Sequence, residues 1–203
     1  NIYLGVCGIM KSLKGTKTAE NLMKSFAGEC QARTRYTYYA SVARKAGYIQ
    51  IADIFIETAE QEREHAKRFF KFLVPDFQGE QIEINAAYPV GLSDDTATNL
   101  RAAAAGEHEE WAVEYPEFAR IAREEGFPQI AAAWDRISEV ENRHERRYNK
   151  LLKNIEEGKV FEKDEVVFWK CLNCGYIHEG AVAPKLCPAC LHPQSYFEVW
   201  VEN

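Results

Sequence analysis

Residues 130–152 read IAAAWDRISEVENRHERRYNKLL. Taken in steps of four and three, one line through this stretch is Ile130, Trp134, Ile137, Glu141, His144, Tyr148 and Leu151. That is the spacing of the buried face of an amphipathic helix, yet a carboxylate and an imidazole stand in the middle of it. The pattern occurs again upstream, where Phe55, Thr58, Glu62, His65, Phe69 and Phe72 form a second stripe, once more with a His three residues after a Glu. Residues three apart share one side of a helix, so each Glu-x-x-His pair aims an oxygen and a nitrogen at one point.

Two further stripes carry carboxylates without a His: Leu22, Phe26, Glu29 and Tyr36, then Leu100, Ala103, Glu107 and Glu110. Glu29 precedes Glu62 by 33 residues and Glu107 precedes Glu141 by 34. The chain therefore reads as two copies of one helical hairpin, related by an approximate two-fold axis. Its punctuation agrees. The first helix is expected from near Thr18 to just before Gly47, and the second to about Leu73, ahead of Pro75. The third is capped near Ser93 or Asp94, and the fourth runs from Pro128 to Gly158. Pro116 predicts a break or bend within the third. Two hairpins joined by one long connection, VPDFQGEQIEINAAYPVGLS, is the wiring of a ferritin-like four-helix bundle.

An isolated buried ion costs several kcal/mol, so five buried glutamates require positive compensation. One Glu on an apolar face is most often satisfied within the core, for example by an arginine such as Arg33. Two Glu-x-x-His pairs plus a Glu on each remaining helix point instead to a dinuclear metal site. Carboxylates with one or two imidazoles suit iron or manganese, and zinc can occupy the same ligands. Five glutamates leave a net charge of −1 with two divalent ions and +1 with two trivalent ones, so two electrons can leave without large electrostatic strain. Glu110 exceeds the minimal set and predicts a metal that exchanges partners with oxidation state, for example between Glu110 and His65.

After Gly158 the helical period ends, and a short, aromatic, β-branched segment contains Cys171-Leu-Asn-Cys174 and Cys187-Pro-Ala-Cys190. Two Cys-x-x-Cys turns form a tetrahedral four-thiolate site, either a structural zinc ribbon or a one-electron iron centre. Pro188, the Gly175-Tyr176 pair and the aromatics Phe168, Trp169, Phe197 and Trp200 favour iron, and His178 and His192 flank a site that four thiolates already close. Residues 10–160 are thus expected to form the bundle and residues 165–203 a small β domain.

The remaining composition excludes several classes. Hydrophobic residues make up 46% and charged residues 28% of the chain, with a net charge of −6. That balance gives no nucleic-acid footprint, and no apolar run approaches the roughly 18 residues of a membrane span. The opening NIYLGVCGIM lacks a basic signal-peptide n-region, so residues 1–9 are read as an extension or expression remnant ahead of a natural start at Met10. Paired cysteines without a signal place the chain in a reducing compartment, the cytoplasm. Cys7 and Cys30 fall outside the pairs.

The stretches FAGECQAR, ETAEQEREHAKR, AAGEHEEW, EVENRHE and CLNCGYIHEG followed by LCPACLHP occur in that order, and together they resemble the rubrerythrin family from Met10 onward. The resemblance implies a mainly α protein, a ferritin-like di-iron bundle joined to a rubredoxin-like domain. It implies Glu29, Glu62, Glu107, Glu110, Glu141 and His144 as di-iron ligands, His65 as the ligand that replaces Glu110 on reduction, and Cys171, Cys174, Cys187 and Cys190 around the single iron. Glu110, His65, Tyr36 and Tyr115 are the residues it brings to catalysis. The implied activity is a peroxidase that reduces hydrogen peroxide to water in oxidative stress defence. Its electrons would come from NAD(P)H through a rubredoxin, a ferredoxin or a flavoprotein reductase. A head-to-tail homodimer is implied too, because His144 lies fourteen residues, or ~20 Å of helix, from the end of its own helix. The alternative is a ferroxidase or iron-handling protein. Leu191 departs from the pattern by standing where free rubredoxins usually have Gly, which predicts a less open second sulfur turn.

Overall fold

The computed structural model describes residues 11–202; the expected extension 1–9, the start at Met10 and Cys7 lie outside the described residues. Helix α1, Lys17–Lys45, and helix α2, Ile49–Phe77, form the first hairpin. The second pairs a long interrupted helix with α5, Pro128–Glu156. The interruption divides α3, Thr96–Glu109, from α4, Tyr115–Glu124, by a π-helical turn over Glu110–Glu114. The fold is the expected ferritin-like bundle with a small β region at its C-terminal end.

Two helix ends differ from their sequence reading. Helix α2 does not stop before Pro75 but runs through it to Phe77, closed by the Gln78 N–H on the Val74 carbonyl at 3.1 Å. A proline in the last turn removes only its own donor, so the turn survives. Helix α3 is capped by Asp95, one residue beyond the expected positions, whose side chain accepts from the Thr98 N–H at 2.8 Å. The bend expected at Pro116 is the π-helical turn itself. There the Tyr115 N–H reaches back to the Glu110 carbonyl, so Pro116 falls in the first turn of α4, where its missing N–H is harmless.

The bundle core is split in two. One apolar half contains Tyr36, Tyr39, Phe55, Leu100, Tyr148 and Leu151; the other contains Leu22, Phe69, Tyr115, Ile130, Trp134 and Ile137. Trp134 satisfies its indole N–H on the Ser25 hydroxyl at 3.0 Å. Between the two halves lies a layer of buried Glu29, Glu62, Glu107, Glu141 and His144.

Beyond α5, β1 (Glu162–Cys171), β2 (Ile177–Val182) and β3 (Phe197–Val199) form an antiparallel sheet in the order β2-β1-β3. Its buried core is small: Trp169, Cys171, Ala183, Cys187 and Phe197. Tyr48, at the turn between α1 and α2, stacks on Phe161 with ring centroids 6.2 Å apart, setting the sheet against that end of the bundle. No helix among the described residues is long and apolar enough to cross a membrane.

Candidate metal centres

Two groups of ligand atoms meet in the polar layer. Glu29, Glu62, His65 and Glu141 form one and Glu62, Glu107, Glu141 and His144 the other, each with its ligand atoms within 4.8 Å of one another. Glu62 and Glu141 belong to both, the placement of bridging carboxylates. His65 Nδ1 lies 2.9 Å from Glu62 Oε2 and 2.8 Å from Glu141 Oε1. Across the layer, His144 Nδ1 lies 2.8 Å from Glu141 Oε2, 3.2 Å from Glu62 Oε1 and 3.5 Å from Glu107 Oε2.

Whether metal fits is decided by atoms left unsatisfied. Oxygens of Glu29, Glu62 and Glu107, both oxygens of Glu141, and His144 Nδ1 are buried without a hydrogen-bond partner. His144 and the carboxylates approach closely but are not aligned for hydrogen bonding; they converge on common points. Each unsatisfied buried polar group costs about 1–3 kcal/mol, and among the described residues no Lys or Arg pairs with these carboxylates. Arg33 turns outward to Glu60 at 3.4 Å instead. The set fits two hard cations.

Without metal, protons take the cations' place. Burial pushes the Glu29 carboxyl well above its ordinary range, and the charges of Glu141 and Glu62 push it further. Glu107 is raised by burial and then by Glu62. Burial alone would lower His65, but Glu141 and Glu62 raise it to about 10. His144 is raised against its own burial by Glu107, Glu141 and Glu62. Six of the seven expected bundle ligands are brought together. The seventh, Glu110, enters neither group; it stands at the head of the π-helical turn, with its Oε1 beside Gly28.

Tyr36 on α1 donates to Glu107 Oε1 at 2.5 Å, and Tyr115 at the start of α4 donates to Glu29 Oε1 at 2.6 Å. The two bonds follow the internal two-fold relation of the hairpins, and their lengths are those of charge-assisted bonds. Burial, with the nearby glutamates, pushes both phenols well above their usual range, so both keep their protons.

Gln61 escaped the sequence reading. Its Oε1 lies 2.8 Å from His144 Nε2, which places the imidazole proton there and leaves Nδ1 free for the carboxylate layer. It stands one residue before Glu62, off the apolar stripe, so only the crossing of α2 and α5 reveals the contact. Replacing Gln61 with Leu is expected to weaken zinc or cobalt binding in the bundle roughly 10–100-fold. Competition against a chelator of known affinity measures it, and unchanged affinity would deny Gln61 this role.

The four cysteines form the third group. Cys171 Sγ lies 3.7 Å from Cys190 Sγ and Cys174 Sγ 3.6 Å from Cys187 Sγ, close to the ~3.8 Å edge of a tetrahedron with ~2.3 Å metal–sulfur bonds. The His192 N–H holds Cys190 down, to about 6. The Tyr176 N–H acts likewise on Cys174, but the sulfurs of Cys190 and Cys187 push it up to about 12. Gly175 and Leu191 follow the second cysteines of their turns with φ of 78° and 60°. Their N–H groups donate to the Cys171 and Cys187 carbonyls at 2.8 and 2.9 Å. Leu191 therefore accepts the left-handed conformation that glycine adopts freely, and the second turn keeps the shape of the first rather than closing.

Fold and sites together define a ferritin-like bundle with a di-iron ligand set, joined to a rubredoxin-like four-cysteine iron site. The sequence profile of rubrerythrin matches residues 20–152, and that of the rubrerythrin rubredoxin-like domain matches residues 169–198. The chain is 70% identical over 194 residues to a rubrerythrin of Clostridium perfringens, covering 96% of this chain and 100% of the relative. It is 54% identical over 190 residues to a rubrerythrin of Nitratidesulfovibrio vulgaris, covering 94% and 97%. A solved nigerythrin in a fully reduced, all-ferrous state superposes with a TM-score of 0.62 at 33% identity, over 96% of this chain and 91% of that one. This chain belongs to the rubrerythrin family, a family of oxidoreductases.

Proposed function

We propose that the protein is a peroxidase that reduces hydrogen peroxide to two waters, consuming two electrons and two protons. The observation that carries this reading is the pair of ligand groups sharing Glu62 and Glu141, in one chain with a four-cysteine site. When bound, a ferrous pair would supply the two electrons the reduction consumes, and an iron in the four-cysteine site would be a one-electron centre able to replace them. Glu29, Glu62, Glu107, Glu141, His144 and either His65 or Glu110 would hold the pair. Cys171, Cys174, Cys187 and Cys190 hold the single iron.

The protons belong to the chain's own residues. Tyr36 Oη and Tyr115 Oη lie 2.5 and 2.6 Å from Glu107 Oε1 and Glu29 Oε1 and donate to them, so a carboxylate can hand a proton inward and be resupplied from its phenol. The flanking apolar halves of the core keep bulk water out. Residues 10–160 are the catalytic unit and residues 165–203 the electron port in this reading. A rubredoxin, a ferredoxin or a flavoprotein reductase feeds that port in the cytoplasm, and a head-to-tail homodimer brings one chain's port to the other's bundle.

The test is anaerobic reduction of the iron-loaded protein, addition of one equivalent of peroxide, and a record of the visible absorption of the ferric four-cysteine site. Return of that absorption after a faster oxidation of the bundle is the expected result. A four-cysteine site that stays reduced while the bundle oxidises would instead support the ferroxidase reading, in which no port is needed.

A further inference from the structure

Glu110 is one bundle ligand that the metal layer does not hold, and its surroundings are built from three unrelated parts of the chain. Gly28, buried in the middle of α1 beside Glu29, has no Cβ. One placed there would meet Glu110 Oε1 at 3.9 Å and Tyr88 Cε1 at 3.7 Å. A mid-helix glycine sacrifices about 1 kcal/mol of helix stability relative to alanine, and what its bare backbone receives here is the carboxylate and the ring edge. Tyr88 comes from the connection between the hairpins and is pinned by its hydroxyl, which donates to the Lys24 carbonyl one turn earlier on α1 at 2.9 Å. Glu110 itself opens the π-helical turn. Such a turn carries one extra residue, which aims its first side chain differently from an unbroken α-helix.

We propose that Gly28 and Tyr88 form a seat that holds the Glu110 carboxylate away from the metal layer, and that they are positioning residues setting whether Glu110 or His65 serves as ligand there. The inference rests on the reading of the two ligand groups as metal sites. His65 is already inside its group, 2.8 and 2.9 Å from Glu141 and Glu62, while Glu110 is outside. Occupation of the seat and ligation by His65 are thus the same state of the site, and narrowing the seat returns Glu110 to the layer at the expense of His65.

Gly28→Val narrows it. Valine is a better helix former than glycine, so α1 tolerates the change on intrinsic grounds, while its methyl groups occupy the space of the carboxylate. Gly28→Ala is the control, because its Cβ falls at ordinary contact distances. The measurement is proton NMR of the full chain loaded with cobalt(II) alone. There each histidine bound through Nδ1 shows an exchangeable, paramagnetically shifted Nε2–H signal, and His65→Ala assigns the two.

The parent and Gly28→Ala are expected to show both signals. In Gly28→Val the His65 signal falls several-fold while that of His144 stays, and adding Tyr88→Ala, which opens the outer wall, brings it back. A Gly28→Val protein with the His65 signal unchanged, with both signals reduced alike, or without recovery in the double variant would overturn the seat. A parent chain in which cobalt shifts no imidazole signal would overturn the metal assignment first, and the seat with it.

Discussion

Cys187→Ser is expected to unfold residues 162–199 and leave the bundle intact. Three strands of ten, six and three residues enclose only Trp169, Cys171, Ala183, Cys187 and Phe197, and two of those five are metal ligands. A region of this size does not bury enough apolar surface to fold by itself. Its stability comes from metal binding, which for structural four-ligand sites supplies about 10–16 kcal/mol. Serine replaces a soft thiolate with a hydroxyl that binds neither iron nor zinc tightly, and it does so at a fully buried position. In an amide NMR spectrum the signals of Val167–Lys170 and Ile177–Gly180, paired across β1 and β2, collapse toward random-coil positions. Those of α1, α2 and α5 stay dispersed. On the proposed peroxidase reading, turnover of peroxide is expected to stop as well, while one stoichiometric oxidation of the bundle persists. Protected, dispersed amides in β1 and β2 of the variant would show that apolar packing suffices and that the metal is not the organising element.

The second large effect concerns the bundle. Stripped of metal, its stability is expected to fall as pH rises, the reverse of the behaviour of a protein held by surface ion pairs. Glu29, Glu107 and Glu110 are raised above the ordinary 4.5 chiefly by burial. A group whose folded pKa is raised stabilises the fold below its unfolded pKa and loses that contribution as pH climbs through the folded value. His65, raised from 6.5 to about 10, has the same sign: it favours the fold below 6.5 and stops doing so as it deprotonates near 10. His144 is raised as well. All five contributions therefore decline with rising pH, those of the three glutamates from just above the ordinary carboxylate range and those of the two histidines from above 6.5. Metal reverses the slope, because binding displaces these protons and strengthens as pH rises. Denaturant midpoints from about pH 5 to about pH 9 should fall with a chelator present and level off or rise with two equivalents of cobalt(II) in the bundle. A metal-free protein equally stable or more stable at the alkaline end would show that water or lysines enter the layer and compensate its charge.

Several features were legible in one dimension because their causes are local. The hairpins follow from a helical period that repeats with nearly constant spacing, and the inward position of Glu62, His65, Glu141 and His144 from the three-residue offset on a helix. The third ligand group, the four cysteines, follows from the short reach of a Cys-x-x-Cys turn. The helix ends at Pro75 and Asp95 lie one to a few residues from where residue preference puts them, because the terminal turn of a helix is decided by which donors and acceptors find partners.

Tertiary structure alone decided the contacts that cross between helices. The sharing of Glu62 and Glu141, the Tyr36–Glu107 and Tyr115–Glu29 bonds and the hold of Gln61 on His144 join residues 71 to 86 positions apart in the chain. No periodicity relates such pairs; the crossing geometry of the helices brings them together. Glu110 marks the limit most clearly. Its spacing from Glu107 puts it on the ligand face of a regular helix, but the π-helical turn it opens and the bare backbone at Gly28 leave it turned aside. Sequence determined which ligands the bundle owns, and packing decided which of them face the metal layer.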